Sequence, residues 1–262
     1  MDKQAYKDYL ASRIISFDKK ISAEEYDKVY YRTNEDLLDT YLDVDFYDKE
    51  VFSVMASADQ VLTARYLDAK RVDAYDKNIL TKYYFYLRIW AIEYDNRLYP
   101  NVYSLDYLRN LLIRVHPKTK EERAAYDYYL KHIKAETDVE RLFYEIDAQP
   151  QGRTLYTEAS ELSDCLSPKI DFYEYDMFKE NSHPRQYDIV ITSNILDWAR
   201  HDKTKLKTAA YNLKRLTKKN GYILGSNLIN KPPQEVREEI AIMQEYFDLE
   251  EVKSKSYVYR KK

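Results

Sequence analysis

Val51–Asn78, VFSVMASADQVLTARYLDAKRVDAYDKN, is the stretch from which the fold is read. VFSVMA is an unbroken run of small and apolar residues, suited to a parallel strand buried on both faces. ADQVLTARYLD continues as a helix, and Arg71 to Tyr75 form a second strand with Asp76 at its carboxyl end. A strand, a short turn, a helix and a strand closing on an acid make half of a nucleotide-binding α/β unit. In such a unit the turn approaches a ligand closely and the acid can hold a ribose. Here the turn carries Ala56 and Ala58 where such units usually place glycines. If either alanine takes a left-handed backbone, the cost is about 1–2 kcal/mol. If both are right-handed or extended, the turn survives with a slightly wider floor.

The same rhythm extends in both directions. Ahead of the first strand, AEEYDKVYY and NEDLLDTYLDVD place their apolar residues at helical spacings, with Thr33 or Asn34 as a cap for the second segment. Residues 1–48 therefore read as an N-terminal helical segment packing on the core, and 49–262 as the α/β domain. After the helix Ile79 to Tyr94, residues 95–168 carry helical stretches and little strand signal. A βαβ crossover needs far fewer residues, so this block reads as a helical insertion, either covering a ligand or shielding one sheet face. KIDFYEYD, YDIVITSN and GYILGSNLI are the next three strands, with a helix through TKLKTAAYNLKRLTKK between the last two. Gly221 is expected to be a left-handed cap for that helix, with Lys218 and Lys219 suiting its dipole. PQEVREEIAIMQEYF and two closing strands, DLEEVKS and SYVYRKK, complete an α/β chain with a Rossmann-like, seven-stranded, mostly parallel sheet.

Composition narrows the classes of function. The 42 basic and 45 acidic side chains are well mixed and sum to a net charge of -3. A phosphate-tracking surface needs a segregated basic face, so nucleic acid is not the expected partner. Cys165 is the only cysteine, and His116, His132, His183 and His201 share no ligand spacing, so no metal is expected. No apolar run approaches the ~20 residues of a membrane span, and no signal-peptide core opens the chain. A reducing cytoplasm fits. Tyrosine is abundant at 29 residues, and many of these rings are expected at the boundary with their hydroxyls wet.

Ligands of open α/β sheets collect beyond the carboxyl ends of the strands, where strand order reverses. Four segments reach that edge: Ala56, Ser57, Ala58, Asp59 and Gln60; Asp76, Lys77 and Asn78; Asp176 to Phe178, including Met177; and Ser193, Asn194 and on to Asp197. N–H groups around Ser57 to Gln60 open a helix and can receive an anionic or polar group. Asp76 can accept from both ribose hydroxyls or cap the helix near Ile79, and Asp59 can stabilise the first turn of its own helix. Asp176 can accept from an exocyclic amine. Ser193 and Asn194 can meet an amino-acid moiety, although Asn194 can also simply brace its loop. Tyr30, Asn34 and Asp197 are candidates for the acceptor side, with no catalytic base evident from spacing.

TNEDLL (33–38), VFSVMASADQVL (51–62), VDAYDKN (72–78) and YDIVITSNILDWA (187–199) together resemble the S-adenosylmethionine-dependent methyltransferase superfamily. Within it, the likeness points to the group of betaine-lipid 3-amino-3-carboxypropyl transferases and their uncharacterised bacterial relatives. The resemblance covers most of the chain and matches the helical middle only loosely. It implies a class I methyltransferase sheet, S-adenosylmethionine as cofactor and methyl transfer to a small-molecule acceptor. Aminocarboxypropyl transfer and a noncatalytic methyltransferase-like binding protein are the alternatives. By the same resemblance Asp59 and Gln60 match the turn, Asp76 the ribose acid and Asp176 the position near adenine, while Ser193, Asn194 and Asp197 line the site. Ala58 departs from the pattern by replacing the usual glycine. An oxidoreductase reading fails on the missing G-x-G-x-x-G.

Overall fold

A computed structural model describes residues 28–33, 35–100, 104–137, 139–144, 154–162, 170–180, 182–199, 202–226, 233–253 and 256–262. The central strands are β2 (Glu50–Val54), β3 (Arg71–Asp76), β5 (Asp171–Glu174), β6 (Tyr187–Ser193), β7 (Thr217–Ser226), β8 (Phe247–Lys253) and β9 (Ser256–Lys261). Their spatial order is β5-β3-β2-β6-β7-β9-β8. All neighbouring pairs from β5 to β7 are parallel, and β9 runs antiparallel to both β7 and β8. This is the expected Rossmann-like, seven-stranded, mostly parallel sheet. The chain builds outward from β2 to β3 and β5, then returns to lay β6 on the other side of β2, so order reverses between β2 and β6.

Alternation along the strands divides the core. Val51, Ala74, Ile189, Ile191, Leu224 and Val258 face one side, where α2 (Asp59–Tyr66), α3 (Leu80–Asp95), α4 (Leu105–Arg114) and α5 (Lys120–Lys134) bury their apolar residues. Phe52, Val54, Tyr75, Val190, Ile223, Tyr257 and Tyr259 face the other side, against α6 (Lys203–Leu216) and α7 (Pro233–Gln244). The helix starts follow from side-chain caps. Ser104 accepts from the Tyr107 N–H, Asp202 from those of Thr204 and Lys205, and Thr119 forms a reciprocal capping box with Glu122.

Several details differ from expectation. Val29–Tyr30 form a short strand, β1, paired in parallel with β4 (Phe143–Tyr144), where helix and insertion had been read. The helix ahead of the sheet, α1, spans only Leu37–Tyr41, and the Thr33 hydroxyl accepts from the Glu35 N–H two residues before it. Helix α6 stops at Leu216, so Lys218 and Lys219 lie in β7. Lys218 Nζ bridges Glu50 at 2.7 Å and Asp188 at 3.1 Å, tying the starts of β2, β6 and β7. The left-handed residue there is Asn220, φ 62°, rather than Gly221, because asparagine tolerates that region and the chain is already a strand. Gly225 is required for a different reason, since a Cβ there would stand 2.2 Å from the Tyr257 hydroxyl oxygen. Many tyrosines are half-buried at the boundary, as expected, while several fully buried ones tie elements together. Tyr75 donates to the Ile191 carbonyl, Tyr187 to Asp73 and Tyr84 to the Tyr31 carbonyl. Among the described residues no helix is long and apolar enough to cross a membrane.

The turn after β2 is anchored by an ion pair between Asp59 and Arg88, both 0% exposed, at 3.0 Å. Burial acts to lower the pKa of the guanidinium, but Asp59 beside it outweighs that effect and holds it fully protonated. Breaking a buried pair strands the remaining charge. Arg88→Met is therefore expected to lower the unfolding free energy by about 3–5 kcal/mol in urea melts. A loss under about 1 kcal/mol, the scale of an exposed pair, would show the pair to be dispensable.

Candidate functional site

A hollow of about 160 Å³ opens at the carboxyl ends of β2, β3, β5 and β6. That is roughly ten times the ~10–15 Å³ that one buried water needs, so it is sized for a ligand. Its wall includes Ala56 after β2; Asp76, Lys77 and Asn78 at the end of β3; Asp176, Met177 and Phe178 after β5; and Ser193 and Asn194 at the end of β6. The position is the reversal point between β2 and β6, where open α/β sheets take their ligands.

Asp76 is the best-defined group in this wall. One carboxylate oxygen accepts from the Ala56 N–H at 3.1 Å and the other from the Asn78 N–H at 3.0 Å. Burial pushes its pKa up to about 6 despite these two hydrogen bonds. Asp76 does not cap α3 directly, since the Asn78 side chain accepts from the Leu80 N–H, and Asn78 also donates to the Lys28 carbonyl at 2.8 Å. Across the hollow, Asp176 accepts from the Phe178 N–H and lies 3.6 Å from the Lys77 ammonium. Tyr75, Tyr175, Phe178 and Trp198 supply flat apolar surface.

The structure separates the other candidates. Tyr30 lines the hollow from β1. Ser57, Ala58, Asp59 and Gln60 lie outside its wall, buried beneath it. Asp59 accepts from Arg88, from the hydroxyls of Ser57, Tyr99 and Tyr156, and from the Thr33 N–H. Gln60 donates toward Glu35 and Thr33. Asp197 sits in a 3₁₀ turn, Ile195–Ala199, and is buried outside the wall, whereas Ile195 and Trp198 of that turn line it. Residues three apart eclipse one another in a 3₁₀ helix, a spacing that could have marked Trp198. Asn34 lies outside the described residues. None of the described residues between 104 and 162 lines the hollow; Leu108, Leu111, Ala125, Tyr129 and Leu162 pack into the core on one sheet face instead. Lys28, Val29, Val54 and Thr81 complete the wall, and no residue pattern had marked them as lining it.

Both turn alanines are left-handed, Ala56 with φ 42° and Ala58 with φ 71°, and Ser193 on the facing strand has φ 55°. The Ala58 N–H donates to the Met55 carbonyl at 2.6 Å, closing the turn. Each such residue costs about 1–2 kcal/mol. Ala56 is only partly buried, so replacing it removes strain with little loss of packing. After the extra chain entropy of glycine is subtracted, Ala56→Gly is expected to raise stability by about 0.5–1 kcal/mol in denaturant melts. Destabilisation by this variant would contradict the strain.

No family model matches the chain, and no curated protein is similar to it. Among solved structures it is similar to the N-methyltransferase NodS from Bradyrhizobium japonicum WM9 in complex with S-adenosyl-L-homocysteine. That match has 11% identity and a TM-score of 0.39, over 82% of this chain and 79% of that one. The PH0226 protein from Pyrococcus horikoshii OT3 is similar at 14% identity and a TM-score of 0.39, over 86% of each chain. The ribosomal protein L11 methylase from Lactobacillus delbrueckii subsp. bulgaricus is similar at 10% identity and a TM-score of 0.38, over 82% of this chain and 70% of that one. At such identity and superposition these likenesses carry no weight for function. The chain's own strand order and hollow must carry it.

Proposed function

We propose that the chain is an S-adenosylmethionine-dependent transferase that methylates a small-molecule acceptor. The observation behind this reading is the Asp76 carboxylate, oriented by two backbone N–H groups at the reversal point of the sheet. Each oxygen accepts one backbone N–H, and the lone pairs left over suit the two adjacent hydroxyls of a ribose. Asp176 and the aromatic rings opposite suit an adenine, whose amine needs an acceptor and whose faces need flat apolar cover. Ser193 and Asn194 are left for the amino-acid arm. When bound, S-adenosylmethionine supplies a carbon already activated by its sulfonium, so the protein mainly has to align the acceptor and exclude water. Tyr30 and Trp198 line the hollow and are the side chains proposed for both tasks. The division into an N-terminal segment, 1–48, and a transferase domain, 49–262, with an insertion at about 95–168, is part of this proposal.

Aminocarboxypropyl transfer uses the same cofactor and differs in which carbon faces the acceptor. The by-product separates the two: methyl transfer leaves S-adenosylhomocysteine, and aminocarboxypropyl transfer leaves 5′-methylthioadenosine. Calorimetry tests the shared part. S-adenosylhomocysteine is expected to bind, and Asp76→Ala to weaken binding about thirtyfold or more, the scale of losing hydrogen bonds to a charged group. Unchanged affinity would remove the ribose role. With neither S-adenosylmethionine nor S-adenosylhomocysteine bound, the noncatalytic binding protein becomes the better reading.

The pH dependence carries its own sign. Only ionised Asp76 accepts from both hydroxyls, so affinity is expected to be full above about pH 6 and to fall as pH drops through that value. Asp76→Asn should flatten the profile, as read by titrations between pH 5 and 8. A profile of the same shape in both proteins would assign the titration to another group.

A further inference from the structure

Glu35 stands one side chain behind the wall of the hollow and is 4% exposed. One of its carboxylate oxygens accepts from the hydroxyl of Ser193, a residue of the wall, and the other accepts from the Gln60 amide at 3.4 Å. Among the described residues no lysine, arginine or histidine pairs with it, and Asp197 is near enough to oppose its charge. Burial raises its pKa, with the hydrogen bonds from Ser193 and Gln60 acting against that rise. Gln60, 1% exposed, has no partner for its amide oxygen. The place is rich in hydrogen-bond acceptors and short of both donors and positive charge. A buried carboxylate without a cation is costly, and the cost is offset when a cation arrives nearby.

We propose that Glu35 is the counter-charge for a cationic guest of the hollow, acting through Ser193 as a positioning residue that makes the site prefer a sulfonium-bearing nucleoside to its neutral thioether. The inference rests on the adenosyl reading of the hollow and deepens it. Ser193 has one hydroxyl hydrogen, and it faces two acceptors, Glu35 and the Asn194 amide oxygen at 3.3 Å. The lone pairs of Ser193 therefore receive donors, and the charge behind it attracts positive guests. S-adenosylmethionine carries a sulfonium, an ammonium and a carboxylate, for a net charge of plus one. S-adenosylhomocysteine lacks the sulfonium charge and is neutral overall. A site with this counter-charge therefore holds the donor of the group and lets the spent product go.

Calorimetry with these two probes on wild-type protein, Glu35→Gln and Glu35→Asp tests the inference. Wild type is expected to bind S-adenosylmethionine about fivefold or more tightly than S-adenosylhomocysteine, the scale of one partly screened charge interaction. Glu35→Gln, which keeps the shape and a hydrogen-bond acceptor, should bring the two affinities within about twofold, whereas Glu35→Asp, which keeps the charge, should retain the preference. A general loosening of the fold would weaken both guests and leave their ratio unchanged. Equal or tighter binding of the thioether by wild type, or a ratio preserved in Glu35→Gln, overturns the inference alone. The wild-type comparison decides even if Glu35→Gln does not fold. Failure of wild type to bind either probe overturns the adenosyl reading and this inference with it.

Discussion

The carboxylate of Asp59 is the point on which the rest of this structure is assembled. It gathers five segments: the turn after β2 through Ser57, helix α3 through Arg88, the strand-like N-terminal stretch through the Thr33 N–H, and two later stretches through Tyr99 and Tyr156. Removing such a charge from water costs several kcal/mol, repaid only because a guanidinium and four further donors converge on it. The guanidinium also donates to the Ser57 carbonyl and lies 4.7 Å from the centre of the Tyr99 ring. This clasp holds Ala56 and Ala58 in a backbone that neither would choose. Ala56 in turn presents its N–H to Asp76, so the geometry of the hollow is inherited from an ion pair that does not touch it.

Two acids one strand apart thus have opposite tasks. Asp59 is saturated with donors and has no accessible surface, which makes it architecture. Asp76 meets two backbone N–H groups, borders a hollow and is raised to about 6, leaving capacity for a guest. Glu35 is an intermediate case, buried like the first and undersupplied like the second. The two aspartates differ in the neighbours they meet and in their exposure, not in residue type.

Much of the sheet was legible because its signals are local. Apolar runs ending in Asp76, in the Asp176 segment and in Ser193–Asn194 marked both the strands and the edge at which they stop. The unbroken apolar run VFSVMA marked a strand covered on both faces, and Val51 and Phe52 do lie in the cores on opposite sides of the sheet. What stayed hidden depends on contacts between distant residues. The bond from Thr33 to Asp59 spans 26 positions, that from Arg88 to Asp59 spans 29, and that from Glu35 to Ser193 spans 158. No periodicity encodes such meetings, so Asp59 and Gln60 read as ligand contacts and Glu35 as nothing. The alanine backbones were equally unreadable, because the choice between left- and right-handed is made by the clasp and not by the methyl group. Asp197 shows the converse error, in which a polar residue beside a strand end is turned away by one step of a 3₁₀ helix.

The placement of β9 between β7 and β8 has a bearing on how the chain comes together on the ribosome. β7 is synthesised well before β9, so until β9 arrives its flank away from β6 offers unpaired N–H and C=O groups to any extended strand nearby. The apolar tract YILG in that flank is the kind of edge that invites a stray partner. The β8–β9 hairpin closes that flank, since β9 pairs antiparallel with both β7 and β8.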